Sequence, residues 1–374
     1  MSHVVVAVDL FLVRLPLARP FTTSSHTKTH LDHILVRVRD RDGAVGWGEC
    51  ASPSDPYYCA ETVGTCWHLL EDFLVPALIG RAWATPDEAA RAWTKVRGNR
   101  FAKAGIDMAC WDLAARARGE PLARLLGGER REIVAGVSIG IEATVDDLLA
   151  EVERHLAHGY RRIKVKIGPG RDLAYLRAVR ERWPDVPLMA DANSAYRLDD
   201  PAHLAALDAL DELGLTMIEQ PLDADDIVDH ARLQRRLATA ICLDESIHGA
   251  DDARRAIALG SCRIVNIKVS RVGGLGEARR VHDVCVAAGI PVWCGGMHEF
   301  GIGRAANVAI SSLPGFTIPG DVSGSDKAYP LDIVEPPIRA PGGAIAVPWD
   351  RPGIGHEPDE ARIRAHCLRH VALG

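Results

Sequence analysis

The sequence predicts an α/β fold, a modified (β/α) TIM-type barrel joined to a smaller α+β domain. Three observations carry that prediction. From about Glu132, short apolar strands alternate with amphipathic helices at even intervals, the pattern of buried parallel strands. Glycines follow the helical stretches, where a left-handed residue ends a helix. Before Glu132 the chain reads differently, as strands and then helices. A closed barrel suits the even spacing better than an open sheet.

Residues 4–13 and 31–38 are rich in β-branched and aliphatic side chains, and Asp42-Gly43 is a turn from which residues 45–49 return as a strand. Residues 21–30, with Thr22, Thr23, Ser24, Ser25, Thr27, Lys28 and Thr29, are polar and aperiodic and read as a mobile loop. Residues 61–126 are helical in pattern up to Gly127-Gly128. The first barrel strand is expected at 134–139. Thr144 caps the next helix, with Asp147 three residues on and Leu148, Val152 and Leu156 as its apolar stripe. Gly159 ends it before a strand at 163–167. Asp172 opens a helix that runs to Trp183, ahead of a strand at 188–190. Asp200-Pro201 opens another, closed by Gly214 before 216–218. Strands at 241–243, 264–267, 292–294 and 316–319 complete a set of eight, with Gly260 and Gly289 ending helices between them. The tail from Asp332 is Pro/Gly-rich, then helical, and is expected to pack back on the first domain. The expected domains are 1–130 and 131–330, with the tail 331–374 returning to the first.

A chain of 374 residues buries a sizeable core in one or two domains. Apolar residues at 47% and charged residues at 25% are ordinary globular usage. The net charge of -6, from 44 basic and 50 acidic residues, argues against a nucleic-acid partner, which needs a concentrated basic face. Nine cysteines without a Cys-x-x-Cys pair read as reduced thiols rather than a disulfide framework or zinc site. Residues 1–9 lack the basic segment and apolar run of a signal peptide. No uncharged apolar stretch reaches the roughly 18 residues of a membrane span. The expected setting is the cytoplasm. The expected partners are a small-molecule carboxylate and other copies of the chain, with no nucleic acid and no membrane.

Barrels place their chemistry at the C-terminal ends of the strands. The second strand ends Lys164-Val165-Lys166, the third Asp191-Ala192-Asn193, the fourth Glu219-Gln220, the fifth Asp244-Glu245 and the sixth Asn266-Ile267-Lys268. The steps from Lys166 are 25, 28, 25 and 24 residues, each about one βα unit. That spacing predicts polar groups at one level on five successive strands. One acidic residue at a strand end is ordinarily a solvated cap; Asp191, Glu219 and Asp244 in register are not. Three carboxylates at one point require a cation, because like charges oppose each other's ionisation. An all-oxygen donor set with open positions suits Mg²⁺, with Mn²⁺ or another divalent cation able to substitute.

Strands two and six oppose each other in a ring of eight, so Lys166 and Lys268 would approach a ligand from opposite faces. Lys164 points to the same side of its strand as Lys166, and its charge is expected to lower the pKa of Lys166. A lone lysine would read as an anion anchor. Opposed lysines with carboxylates between them fit abstraction of a proton α to a carboxylate, with the metal stabilising the enediolate.

Nine segments support a closer reading: GWGEC (46–50), RIKVKI (162–167), ADANSAY (190–196), IEQPL (218–222), CLDES (242–246), VNIKVSRVGG (265–274), PVWCGGM (291–297), GIGRAANV (301–308) and IPGDVS (318–323). On these the chain resembles the enolase superfamily, in its muconate-cycloisomerase-like branch, and within that the N-acylamino-acid (N-succinylamino-acid) racemase / o-succinylbenzoate synthase family. The likeness covers most of the chain. It implies a capping domain built from the N-terminal part and the tail, whose loops at 21–30 and 50–58 close over the barrel mouth. It implies Asp191, Glu219 and Asp244 as metal ligands, Lys166 and Lys268 as the catalytic pair, and Lys164 and Asn193 in support. Ser138, Gly295, Met297, Glu299, Asp321 and Ser323 would lie near the substrate's side chain or acyl group. For Asp321 and Ser323 the alternative is a strand-to-helix cap.

The chain also departs from the family. After Gly295-Gly296-Met297 the family usually has an aliphatic residue, Glu, then Ser or Thr; here stand His298, Glu299 and Phe300. His298 and Phe300 are therefore placed with the substrate pocket, the alternative being packing against the following helix. His26, His30 and His33 read as parts of a polar loop rather than a second metal site. The activity implied is Mg²⁺-dependent racemisation of N-acylamino acids, N-succinylamino acids in particular. The rival is o-succinylbenzoate synthase, a lyase of menaquinone biosynthesis that loses water through the same enediolate. Muconate cycloisomerisation is a weaker reading. A dipeptide epimerase is disfavoured, because its second acid is missing at Asp321-Val322-Ser323. A barrel kept only as a scaffold would have lost some of the five central groups, and all five are present.

Overall fold

A computed structural model describes residues 2–22 and 27–374. Strand β1 (His3–Thr22) pairs antiparallel with β2 (Thr27–Asp40), and β2 with β3 (Val45–Cys50). Val8 and Leu10 of β1 enter one apolar cluster, while Phe11, Val13 and Leu15 enter the other, so this sheet is covered on both faces. Helix α1 (Arg100–Arg118) lies flush on β3. A Cβ at Gly48 would stand 2.0 Å from the Gly105 carbonyl oxygen, and one at Gly46 2.3 Å from that of Ala109. Glycine at both positions is what lets the helix approach so closely.

The expected loop at 21–30 is instead largely strand. Phe21 pairs with Lys28 and Thr22 with Thr27, because the β-branched threonines favour extended backbone at the end of a long hairpin. Residues 23–26 of that stretch, His26 included, lie outside the described residues. Beyond a short helix at Glu360–Ala365, the tail ends in a strand rather than a helix. This strand (Cys367–Leu373) pairs antiparallel with the free edge of β1 and satisfies its backbone groups.

Seven parallel strands follow: β4 (Val137–Ile139), β5 (Ile163–Lys166), β6 (Leu188–Asp191), β7 (Met217–Glu219), β8 (Ile241–Leu243), β9 (Ile264–Ile267) and β10 (Val292–Cys294). Each neighbours the next in chain order, as successive βα units dictate. Thr144, Asp172 and Asp200 cap their helices as expected, accepting from the backbone N–H of Asp147, Leu173 and Ala202 respectively. Gly159, Gly214, Gly260 and Gly289 all have left-handed φ, from 61° to 89°.

The expected eighth strand does not form as such. Phe316 makes a single parallel bridge to Val292, and Gly320 one to Ala135. Pro319 between them has no N–H to give a ladder, so an irregular segment completes the ring. The first barrel strand is also shorter than 134–139. It starts at Val137, while Glu132–Val134 pairs outside the ring with Ala344–Ala346.

Met189, Met217, Cys242, Ile264 and Trp293 fill the barrel interior. Residues two positions further along β6, β7 and β8 point to the same side, one layer higher. Those positions are Asp191, Glu219 and Asp244. Among the described residues no helix is long and apolar enough to cross a membrane.

Candidate active site

The upper layer opens into a cavity of about 600 Å³ between the barrel mouth and the β1–β2 hairpin. Lys164, Lys166 and Lys268 all line it. Lys166, Asp191 and Glu219 are directly paired across β5, β6 and β7. The level then climbs. Glu219 pairs with Cys242, and Cys242 with Ile264. Asp244 therefore stands two residues above this line and Lys268 four. The single level expected for all five becomes a staircase, as the stagger of a closing barrel requires. Both offsets are even, so every side chain still points inward.

Asp191, Glu219 and Asp244 are fully buried. Lys164 Nζ bridges Asp191 Oδ2 at 2.9 Å, Glu219 Oε2 at 2.7 Å and Asp321 Oδ2 at 2.9 Å, above the Trp293 ring. Burial alone would lower the Lys164 pKa, but these three carboxylates outweigh it and hold the ammonium well above its usual range. The charge expected to act on Lys166 is thus taken up by three carboxylates. Lys166 Nζ donates to Asp191 Oδ2 at 2.6 Å and to Asn193 Oδ1 at 2.5 Å. Asn193 in turn donates to Glu245 Oε1 at 2.8 Å. Lys268 Nζ lies 2.7 Å from Asp244 Oδ2, though the approach leaves that oxygen without a hydrogen bond. Burial opposes the charge of Lys268, but Asp244 and Tyr58 leave its pKa well above the ordinary lysine value.

Sequence reasoning missed three residues here. Tyr58 donates to Asp244 Oδ1 at 3.2 Å and accepts from Lys268 at 3.1 Å. Arg271 Nε lies 3.0 Å from Asp244 Oδ1, and Asn266 donates to Glu219 Oε1 at 2.7 Å. Asn266 and Arg271 sit inside the VNIKVSRVGG segment, so a reading of β9 inward-facing positions could have found the first; Tyr58 ends the 50–58 segment expected over the barrel mouth, but nothing within that segment singles it out.

The carboxylates respond to this surrounding in different ways. For Glu219, burial and then Asp191 push the pKa well up, with Lys164 opposing. Asp191 goes down, because Lys164 and Lys166 outweigh burial; Asp244 also goes down, through Lys268 and Arg271. Burial and Asp244 raise Glu245 to about 7. Among the described residues no three acidic, histidine or cysteine side chains converge on one point as a formed metal cluster. The expected convergence is broken because Lys164 stands between Asp191 and Glu219, and because Lys268 and Arg271 take Asp244. The donor set nevertheless fits a hard cation. It is all carboxylate oxygen, buried, with Asp244 Oδ2 left without a hydrogen bond.

The outer wall holds most of the remaining expected residues. Ser138 donates to Asp321 Oδ2 at 2.8 Å, and Asp321 also takes Arg162 at 2.7 Å; against burial, Lys164 and then Arg162 pull its pKa well down. Met297, His298, Glu299, Asp321 and Ser323 line the cavity. His298 has φ 60°, its carbonyl accepts from Tyr329, and its ring meets Phe21 edge-on with centroids 4.4 Å apart. Burial and then Lys327 push the His298 pKa well down, so it meets a ligand as neutral imidazole. Asn193 and Gln220 also have left-handed φ, 43° and 37°, and such backbone gathers at functional sites.

Two expected pocket residues lie elsewhere. Phe300 is fully buried between His33 and Tyr329, with ring centroids 4.4 and 5.3 Å away. It caps α2 (Gly301–Ser311), and its N–H donates to Glu49, which turns its side chain into the core. Gly295 does not line the cavity either: it packs on Asn266, where a Cβ would stand 2.3 Å from Oδ1. Of the loop histidines, His33 is buried against Glu49 at 2.7 Å and His30 is exposed beside Thr29.

Comparison with known proteins agrees with this architecture. Residues 6–127 match the family described as Mandelate racemase / muconate lactonizing enzyme, N-terminal domain, and residues 147–362 match Enolase C-terminal domain-like. An o-succinylbenzoate synthase of Geobacillus stearothermophilus is 54% identical over 95% of this chain and 93% of its own. An N-succinylamino acid racemase of Thermus thermophilus is 49% identical over 93% of each. A crystal structure of an enolase superfamily member from Listeria innocua superposes with a TM-score of 0.95 at 37% identity, covering 99% of both chains. The chain therefore belongs to the mandelate racemase / muconate lactonizing enzyme group of the enolase superfamily.

Proposed function

We propose that this protein abstracts the α-proton of an N-acylamino acid, N-succinylamino acids in particular, and returns it to the opposite face. The observation that carries this reading is the pair Lys166 and Lys268 lining one cavity, with Asp191, Glu219 and Asp244 buried beneath it. Lys166 and Lys268 are the proton-transfer pair, each serving one enantiomer. Asn193, anchored by Glu245, orients Lys166, and Tyr58 orients Lys268. Lys164 opposes protonation of the buried carboxylates that it bridges. Asp191, Glu219 and Asp244 are the residues that would hold Mg²⁺. When bound, the cation supplies positive charge that stabilises the enediolate. Ser138, Met297, His298, Glu299, Asp321 and Ser323 surround the acyl group and side chain. The division into a capping unit (1–130 with 331–374) and a catalytic unit (131–330) is supported by the pairing of Cys367–Leu373 with β1.

The second reading is o-succinylbenzoate synthesis, by loss of water from a related enediolate. It is favoured by the name of the 54% identical relative. Proton NMR in D₂O with Mg²⁺ tests both, using N-succinylamino acids beside the o-succinylbenzoate precursor. The expected result is α-proton exchange with racemisation, abolished as racemisation by Lys166→Ala and by Lys268→Ala, with exchange surviving for one enantiomer. Equal exchange of both enantiomers by Lys166→Ala refutes the two-base assignment.

A further inference from the structure

Most charged side chains around the cavity are satisfied within the chain. Glu151 takes Arg19 at 2.8 Å and Arg154 at 2.5 Å. Asp321 takes Arg162 and Lys164. Arg304 donates to the carbonyls of Ser323 and Glu299 at 2.7 and 2.8 Å. Lys327 differs. Its Nζ donates to the Ser138 carbonyl at 2.9 Å and, among the described residues, pairs with no carboxylate. The side chain is half-buried and faces the same cavity as Lys166 and Lys268. Burial, aided by Arg304, Arg162 and Arg154 and resisted by Asp321, pushes its pKa down to about 8. Below that pH it is an ammonium among other cations, in partial isolation from water, with one neutral acceptor.

We propose that Lys327 receives a second carboxylate at the far end of the substrate's acyl group, and so selects dicarboxylic over monocarboxylic acyl chains. The inference rests on the reading that proton transfer takes place between Lys166 and Lys268. The spacing agrees. Ser138 is paired with Lys164 on the adjacent strand, about 4.8 Å away, and Lys166 lies two residues further, about 6.7 Å along that strand. The resulting offset is about 8 Å, within reach of a four-carbon diacid acyl chain with bonds of about 1.5 Å and the lysine's own length. Ile139, Val322 and Ala328 line the same cavity and offer apolar surface to the methylene groups. A carboxylate there gains a charge-assisted hydrogen bond, whereas a methyl group in its place gains none and leaves Lys327 on the Ser138 carbonyl.

The test is calorimetric binding of N-succinylglycine and N-butanoylglycine in the presence of Mg²⁺, with proton exchange measured in parallel. The wild type is expected to bind the succinyl compound tighter by about tenfold or more, the scale of one hydrogen bond to a charged group. Lys327→Met should bring the two ligands to parity while leaving N-butanoylglycine binding as in the wild type. Lys327→Arg should retain the preference. Equal binding by the wild type, or an undiminished preference in Lys327→Met, overturns the proposal. If the preference depends on Lys327 but no N-succinylamino acid exchanges its α-proton, the subsite stands and the proposed reaction fails. If exchange proceeds and Lys327→Met keeps the preference, the reaction stands and the subsite fails.

Discussion

Replacing Glu49 tests how the first sheet holds the active-site wall. Glu49 is the penultimate residue of the GWGEC segment on β3 and is fully buried. Its Oε1 lies 2.7 Å from His33 Nδ1 and accepts from the Phe300 N–H at 2.7 Å; Oε2 accepts from the Gly303 N–H at 2.8 Å. Phe300 and Gly303 belong to the first turn of α2, where backbone donors have no partner within the helix. A carboxylate from another domain thus caps the helix that follows His298 and Glu299. Glu49→Ala leaves two buried N–H groups and one imidazole unpaired. At about 1–3 kcal/mol for each buried donor left without a partner, the loss is about 4 kcal/mol in total. The cost of breaking a buried pair, about 3–5 kcal/mol, agrees. Glu49→Gln keeps one oxygen and sets an amide NH₂ against one donor, for a loss of about 1–2 kcal/mol. Urea unfolding followed by tryptophan fluorescence should rank the proteins wild type, Glu49→Gln, Glu49→Ala in falling stability. Glu49→Ala within about 1 kcal/mol of the wild type would refute the reasoning, since one hydrogen bond alone is worth that much.

Phe300→Ala should cost about 3–5 kcal/mol of stability and leave the ranking of N-acyl substrates unchanged, because the ring is core. His298→Asn, which tolerates the left-handed backbone at this position, should do the reverse, shifting relative kcat/KM across N-succinyl, N-acetyl and bulkier substrates with little change in melting temperature. Asp191→Asn, Glu219→Gln and Asp244→Asn should each weaken Mg²⁺ binding in calorimetry by more than about a hundredfold, beyond what changes to outer-shell groups cost. Chelation should remove activity reversibly. Asp107 is buried in α1, where its Oδ2 accepts from the Leu275 N–H at 2.6 Å. Burial raises its pKa from 3.8 to about 7. An acid with a raised folded-state pKa holds its proton more tightly when folded, so its contribution to stability falls as pH rises from 3.8 towards 7. The loss is on the order of 4 kcal/mol, at about 1.4 kcal/mol per unit. Asp107→Asn keeps the acceptor without the charge, and its unfolding midpoint should be flatter over that range; an unchanged pH profile would place the dependence elsewhere.

Features that repeat along the chain or act locally are legible in the sequence by itself. Helix caps at Thr144, Asp172 and Asp200, and left-handed stops such as Gly260, involve partners within a few residues. The polar residues at the ends of successive barrel strands follow from strand period and barrel topology alone, which is why Lys166, Asp191, Glu219, Asp244 and Lys268 could be named. What the tertiary structure decided depends on pairs distant in the chain. Tyr58 reaches Asp244 across 186 residues, and no local pattern encodes that meeting. Thr22 and Thr27 continue the hairpin because each meets the other across it. His298 and Phe300 look alike as departures from a family motif, yet one lines the cavity and the other fills the core. The difference comes from the left-handed backbone at His298 and the N–H of Phe300 held by Glu49, a residue 251 positions away. A barrel's strands align by their shared period, but the direction of a side chain at the start of a helix is set by whatever satisfies the helix's free N–H groups.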